Sequence, residues 1–250
     1  MNPKELIKKT LMLTGSLFYN NHGSKILYYH DVYRTINYRA LDADINMGTP
    51  LDLFKRHVDV IRREGYEIVD RITQPKAQVA IMLDDGFRGI YECRDYFYKN
   101  NIQPTIFLPA GFIGAVDKGL LSVDEILDLQ SQGFNFECHG WSHIPLDILE
   151  SKDLNRELID SKILLSKILG KEVNGICMPL GFFTTELLEK IKIAGYSEIY
   201  SCIPGCITDR PLGLITRNLC QYASADEVRL ILRGGNGLLQ NRYMKMHCHD

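Results

Sequence analysis

A chain of 250 residues that is 45% hydrophobic and 24% charged has the composition of a globular protein with a core, which excludes disorder and coiled coil. Lys plus Arg number 29 against 31 Asp plus Glu, a net charge of -2, so no global basic field recruits nucleic acid or anionic lipid, and no nucleic-acid partner is expected. Seven cysteines, an odd number without a repeating spacing, suit a reducing compartment better than a disulfide framework.

In chain order, the first element is a short amphipathic helix over Pro3 to Asn20. Residues 1–22 read as an extension ahead of one barrel domain spanning 23–250. Lys4, Lys8 and Lys9 precede Leu11-Met12-Leu13 and Leu17-Phe18-Tyr19, an outline shared with signal peptides. Thr14, Gly15 and Ser16 interrupt it, no small-x-small cleavage site follows, and nothing approaches the ~18 apolar residues of a membrane span. The helix either packs on the domain or makes peripheral contact with a membrane. The expected location is cytoplasmic or peripheral to the membrane, and no oligomeric state follows from the sequence.

Short apolar runs then alternate with amphipathic stretches. Ile26 to Tyr29, Tyr66 to Val69, Val79 to Leu83, Thr105 to Leu108, Phe134 to Cys138, Gly175 to Met178, Glu198 to Cys202 and Leu214 to Thr216 read as strands. Helical patterns cover Leu51 to Glu64, Gly89 to Asn100, Ser122 to Gln132, Lys152 to Leu169, Thr184 to Ala194 and Ala225 to Arg233. Strand then helix, repeated, means an α/β fold with mostly parallel strands and right-handed crossovers. Seven or eight strands favour a barrel, although an open doubly wound sheet uses the same alternation.

In a barrel the loops after the strands form the active face. His30 and Asp31 follow the first strand, Asp84-Asp85-Gly86 the third, His139 the fifth, Pro179 to Gly181 the sixth, and Arg217 the last. An Asp-Gly step alone is usually a turn. Two adjacent carboxylates at the end of a buried strand are costlier, because like charges this close raise one pKa unless a cation compensates. His139 and His143 offer the remaining donors at His-x3-His spacing, one that zinc sites use and that also occurs structurally. In His-Glu-x-x-His metalloproteases the residue after the first His is the general base, but here it is Gly140, so the base must come from elsewhere; Asp84 is the available carboxylate. Gly86 lets the chain turn at once, so both carboxylates can reach one cavity. A two-His, one-carboxylate set also serves non-haem iron oxygenases, but an additional carboxylate beside the metal suits activation of water better.

These residues resemble the motifs of the polysaccharide deacetylases, the NodB-homology family or carbohydrate esterase family 4. Val79 to Arg88 resembles the first motif, with Met82-Leu83 in place of Thr-Phe ahead of Asp84-Asp85-Gly86. His139-Gly140-Trp141-Ser142-His143 resembles the second, with Gly140 in place of Ser or Thr, and Met178-Pro179-Leu180-Gly181 part of the third. The similarity runs over roughly residues 26 to 220. It implies a distorted (β/α)7–8 barrel and the removal of N- or O-acetyl groups from carbohydrate; the leading reading takes an N-acetylated oligo- or polysaccharide of a surface polymer or its precursor as the substrate. It implies further that Asp84 is the general base, that Asp85, His139 and His143 bind one divalent metal ion, zinc foremost, and that Leu180 N–H, beside Pro179, helps hold the oxyanion. The family's third motif often begins with an Arg where Cys177 stands here; Arg217 or Arg88 is the candidate replacement. Trp141 is a candidate sugar platform or a packing residue. The tail Lys245 to Asp250 could stand for the last motif, but it lacks that motif's apolar run and lies at a chain end, so His247 and His249 are not assigned to catalysis. His30 is assigned as general acid, because departure of an amine needs a proton and Tyr-His-Asp near the N-terminus resembles the branch acting on poly-N-acetylglucosamine. Cys202 and Cys206 have no visible partners for a metal or redox role, and Gly234 to Gly237 reads as a flexible turn. The competing reading is a glycan-binding pseudoenzyme that kept the barrel and lost turnover.

Overall fold

The computed structural model describes residues 3–19, 22–34 and 48–250. Asn20, the expected end of the first helix, lies outside them. The main strands are β1 (Lys25–Tyr29), β4 (Glu67–Val69), β5 (Gln78–Leu83), β6 (Thr105–Leu108), β7 (Asn135–Cys138), β8 (Gly175–Cys177), β9 (Glu198–Tyr200) and β10 (Asn218–Leu219). They form one sheet in the order β10-β1-β5-β6-β7-β8-β9, every pairing parallel. One edge of β5 is shared: β4 pairs Gln78 to Ala80 and β6 pairs Met82 and Leu83. The sheet curls so that Ile215 bridges Tyr200 of β9 while Asn218 and Leu219 pair β1. The strand expected at Leu214 to Thr216 is therefore a bridge, and the pairing strand begins at Asn218. The result is the distorted α/β barrel that strand–helix alternation predicts.

β5 is buried at every position, as a continuous apolar run requires when both sheet faces are covered. Its side chains alternate with a period of two. Val79, Ile81 and Leu83 join the large core under the helices, whereas Ala80 and Met82 join Tyr28, Phe107, Cys177, Tyr200 and Ile215 inside the barrel. That phase decides where the next residues go.

The outer helices are α2 (Leu51–Arg63), α3 (Gly89–Lys99), α4 (Val123–Ser131), α5 (Ser151–Asn155), α6 (Ser161–Leu169), α7 (Thr185–Ile193) and α8 (Ala225–Leu232). Ser122 with Glu125 and Ser224 with Glu227 form reciprocal capping boxes that start α4 and α8, each satisfying otherwise orphaned backbone donors. A π-turn over Arg156–Asp160 joins α5 to α6, so the single helix expected from Lys152 to Leu169 carries a local widening.

The first helix, α1 (Pro3–Phe18), lies against α8 and the turn Gly235–Leu239, with Met12, Gly15 and Ser16 buried. A Cβ on Gly15 would sit 2.6 Å from the Gly235 carbonyl oxygen, so only glycine permits this approach. The glycine-rich stretch expected to be a flexible turn is instead a packed 3-10 turn with Gly235 and Asn236 buried, because α1 closes over it. Two further features were not legible as local patterns: a small parallel pair, β2 (Asp31–Tyr33) with β3 (Gly48–Pro50), and a last helix, α9 (Gln240–His247).

Candidate active site

Asp84 continues the β5 ladder, donating its N–H to the Tyr29 carbonyl at 2.9 Å. In phase with Ala80 and Met82, its side chain enters the barrel. Arg217 meets it there, Nη1 to Oδ1 at 2.7 Å and Nη2 to Oδ2 at 2.9 Å, a two-pronged ion pair with the guanidinium fully buried. The guanidinium also lies over the rings of Tyr28 and Phe107, at 4.2 and 5.2 Å, and donates to the Ser201 carbonyl and to the Cys177 sulfur. Burial pushes the Asp84 carboxyl up, but Arg217 outweighs it and holds the carboxyl below its ordinary value. Cys177 therefore stands beside the arginine, which arrives from the bend before β10. Arg88, the other candidate, is ion-paired with Glu125 at 2.7 Å instead.

Strict alternation would aim Asp85 away from the barrel. It does not go there, because Asp85 itself adopts φ +73° and Gly86 follows at +72°. The chain turns one residue earlier than the glycine alone suggests, and Asp85 meets His139 and His143. Its Oδ1 lies 3.3 Å from His139 Nε2 and 3.0 Å from His143 Nε2, yet this buried oxygen accepts no well-formed hydrogen bond. The reason is visible at His139, whose Nδ1 sits 2.7 Å from the Cys177 carbonyl. A carbonyl only accepts, so the proton is on Nδ1 and a lone pair on Nε2 faces the carboxylate. The His139 lone pair facing a buried carboxylate oxygen, with His143 Nε2 3.0 Å from the same oxygen, fits a divalent cation, and the Cys177 carbonyl fixes the His139 tautomer as such sites require. The neighbouring group Asp84, His139 and Cys177 fits poorly: Arg217 already occupies both Asp84 oxygens, and burial pushes the Cys177 thiol up, away from the thiolate a metal needs.

His143 at φ +55° and Leu180 at φ +60° share the left-handed backbone of Asp85, a conformation costly for residues with a Cβ. Leu180 is exposed on a turn between buried Pro179 and Gly181. Half-buried His30 hydrogen-bonds through Nδ1 to Gln221 Oε1 and lies close enough for its charge to act on both Asp84 and Asp85. Sequence reading missed Gln221. It lies two residues beyond the C-terminal end of β10, at the active rim, a place that only a strand at Asn218–Leu219 gives it. Trp141 is half-buried with the Arg156 guanidinium 4.7 Å from its ring, which leaves at most one face for a sugar.

The tail packs beside the Leu180 turn. Phe183 donates to the His247 carbonyl and accepts from the His249 N–H, each at 2.9 Å. His247 Cδ2 would be 3.0 Å from a Cβ on Gly181, and His249 stacks on Phe182 while pairing with Asp147. A cavity of about 320 Å³ opens at the opposite end of the strands, lined by Thr105, Asn135 and Glu198 among others, away from all these groups.

A curled parallel sheet, eight strands among the described residues with β4 off the main path, that gathers carboxylates and imidazoles at the strand C-termini defines a protein of the distorted α/β-barrel class with its working face at that rim. Residues 71–199 match the polysaccharide deacetylase family model, and the chain belongs to that family. A curated relative, the Bacillus subtilis (strain 168) polysaccharide deacetylase YxkH, is 24% identical over an alignment of 179 positions that covers 67% of this chain and 63% of that relative. Among solved structures, the Streptococcus pyogenes deacetylase PplD in complex with acetate superposes with TM-score 0.71 at 18% identity, covering 84% of this chain and 98% of that one. IcaB from Ammonifex degensii gives 0.69 at 20% identity over 86% and 98%. A de-N-acetylase from Aggregatibacter actinomycetemcomitans gives 0.68 at 14% over 83% and 99%.

Proposed function

We propose that this chain is a metal-dependent hydrolase that removes acetyl groups from N-acetylated sugars of a surface polysaccharide or its precursor. One observation carries the reading: a cation-shaped set of donors, Asp85, His139 and His143, stands beside a second carboxylate, Asp84, that Arg217 keeps ionised at rest and so ready to accept a proton. A divalent cation held by the three donors, zinc foremost, would supply Lewis acidity, polarising the acetyl carbonyl and making water more acidic. Asp84 accepts the proton of the attacking water; Arg217 orients it, and each carboxylate oxygen retains a lone pair beyond its bond to the guanidinium. Leu180 N–H, carried on the exposed turn after Pro179, stabilises the oxyanion. His30 delivers a proton from Nε2 to the departing amine while Gln221 holds Nδ1. Trp141 offers its free face to the sugar.

The whole donor set is retained and assembled, which a glycan-binding pseudoenzyme has no need to keep. Membership of the family and the name of the Aggregatibacter neighbour make the N-acetyl amide the first bond to test. Residues 1–22 form the extension and 23–250 the barrel domain. Ile7, Leu13, Leu17 and Phe18 remain exposed on α1 near Lys8 and Lys9, which supports peripheral membrane contact through that helix. Among the described residues no helix is long and apolar enough to cross a membrane. The test is acetate release from N-acetylglucosamine oligomers by chelator-treated protein with and without added zinc. Zinc-dependent release supports the reading, and tight glycan binding without release under either condition would favour the pseudoenzyme.

A further inference from the structure

We infer that Glu157 is a positioning residue for the two histidine donors, and that glycine stands at position 140 because the Glu157 carboxylate needs the space; this rests on the metal site proposed above. Glu157 lies in the π-turn between α5 and α6, and only 3% of it is exposed. Its Oε2 accepts from the backbone N–H of Trp141 at 2.6 Å and of Ser142 at 3.1 Å, and its Oε1 accepts from the Ser142 hydroxyl. These are two of the three residues between His139 and His143. A single buried carboxylate thus binds consecutive donors of the loop whose ends present the imidazoles. The wider π-turn brings neighbouring Arg156 and Glu157 round to the same loop, one onto the Trp141 ring and the other onto its backbone.

Gly140 completes the arrangement. Its φ is +74°, and a Cβ there would lie 2.8 Å from Glu157 Oε2, closer than real Cβ contacts come. A Ser or Thr at 140 would occupy the place that the carboxylate fills. Here the loop is tied from outside, by an acid on a separate helical segment that takes two backbone donors and the Ser142 hydroxyl. His143, held at φ +55°, is the donor that gains most, since a left-handed residue relaxes unless its surroundings fix it.

The experiment measures zinc affinity by chelator competition, with thermal melting of the metal-free proteins alongside. Glu157→Met keeps the volume and removes the acceptors, and should weaken zinc binding about 10- to 100-fold. Glu157→Gln can turn its amide oxygen to the two N–H groups and its NH2 to the Ser142 oxygen, so it should bind within roughly 3-fold of wild type. If the Met variant fails to fold, Ser142→Ala removes one bond without touching the helix and should cost roughly 5-fold. Wild-type affinity in Glu157→Met or in Ser142→Ala would overturn the inference, as would a Gln variant as weak as Met. Absence of zinc binding by the wild type would instead remove the proposed metal site itself.

Discussion

Replacing Arg217 by Met leaves the Asp84 carboxylate inside the barrel without its counter-charge. Both partners are essentially inaccessible to water, with side-chain exposures of 0% and 4%, so solvent screens little of the interaction. Breaking a buried pair on one side costs about 3–5 kcal/mol, because the surviving charge keeps its desolvation penalty and loses its compensation. The Ser201 carbonyl loses a donor as well. Against a typical margin of ~5–15 kcal/mol, that is a large fraction of the stability. Removing the second charge too, in Asp84→Leu with Arg217→Met, should recover most of the loss, since apolar residues of similar volume often replace a buried pair without cost. Guanidinium unfolding of metal-free protein at pH 7 measures both effects, and acetate release should vanish in the single and double variants alike. A loss below about 1 kcal/mol in Arg217→Met, or a double variant no more stable than the single, would refute the picture of a charge pair buried to hold the base.

His139→Ala, His143→Ala and Asp85→Asn should each abolish most zinc binding, because three donors leave none to spare, whereas Asp84→Asn should keep the metal and lose hydrolysis; equal metal loss at Asp84 and Asp85 would show the roles misassigned. His30→Ala should fold and bind metal but lose on the order of 10²–10⁴ in rate, while His247→Ala and His249→Ala change little. A near-wild-type rate for His30→Ala, or a collapse with either tail variant, would move the acid to the tail docked on Phe183. His57 tests the pH response. Buried between the Tyr29 hydroxyl and the Ala223 carbonyl, it is pushed down to about 4, chiefly by burial. The unfolded chain takes up a proton near pH ~6.5, so this group's contribution is complete above that value and lost as pH falls toward ~4, by at most about 3 kcal/mol. Denaturation across that window should flatten in His57→Gln; an unchanged slope would mean the imidazole is not held neutral.

The carboxylate pair, His-x3-His and the strand–helix alternation were legible because each is local. β5 is a continuous apolar run ended by two charges, and a buried strand that stops on charge marks a rim wherever the chain goes next. Capping serines ahead of α4 and α8 and the glycines closing other helices worked the same way, through backbone groups a few residues apart. Arg217 was legible as a strand-end residue and as one of two candidates, but its pairing with Asp84 had no local signal that set it above Arg88. Arg217 lies 133 residues away, and only the bend that carries the chain from β9 across to β1 brings it inside the barrel beside Cys177. Glu157 looks like any acid on a helix until the π-turn swings it under Gly140, and the tail looks frayed until Phe183 pairs with it. Sequence by itself determined which groups could do chemistry, since identity and strand phase are properties of neighbours. Closure of the barrel decided which of them meet, because burying a charge far from water is tolerable only where the tertiary fold supplies its opposite.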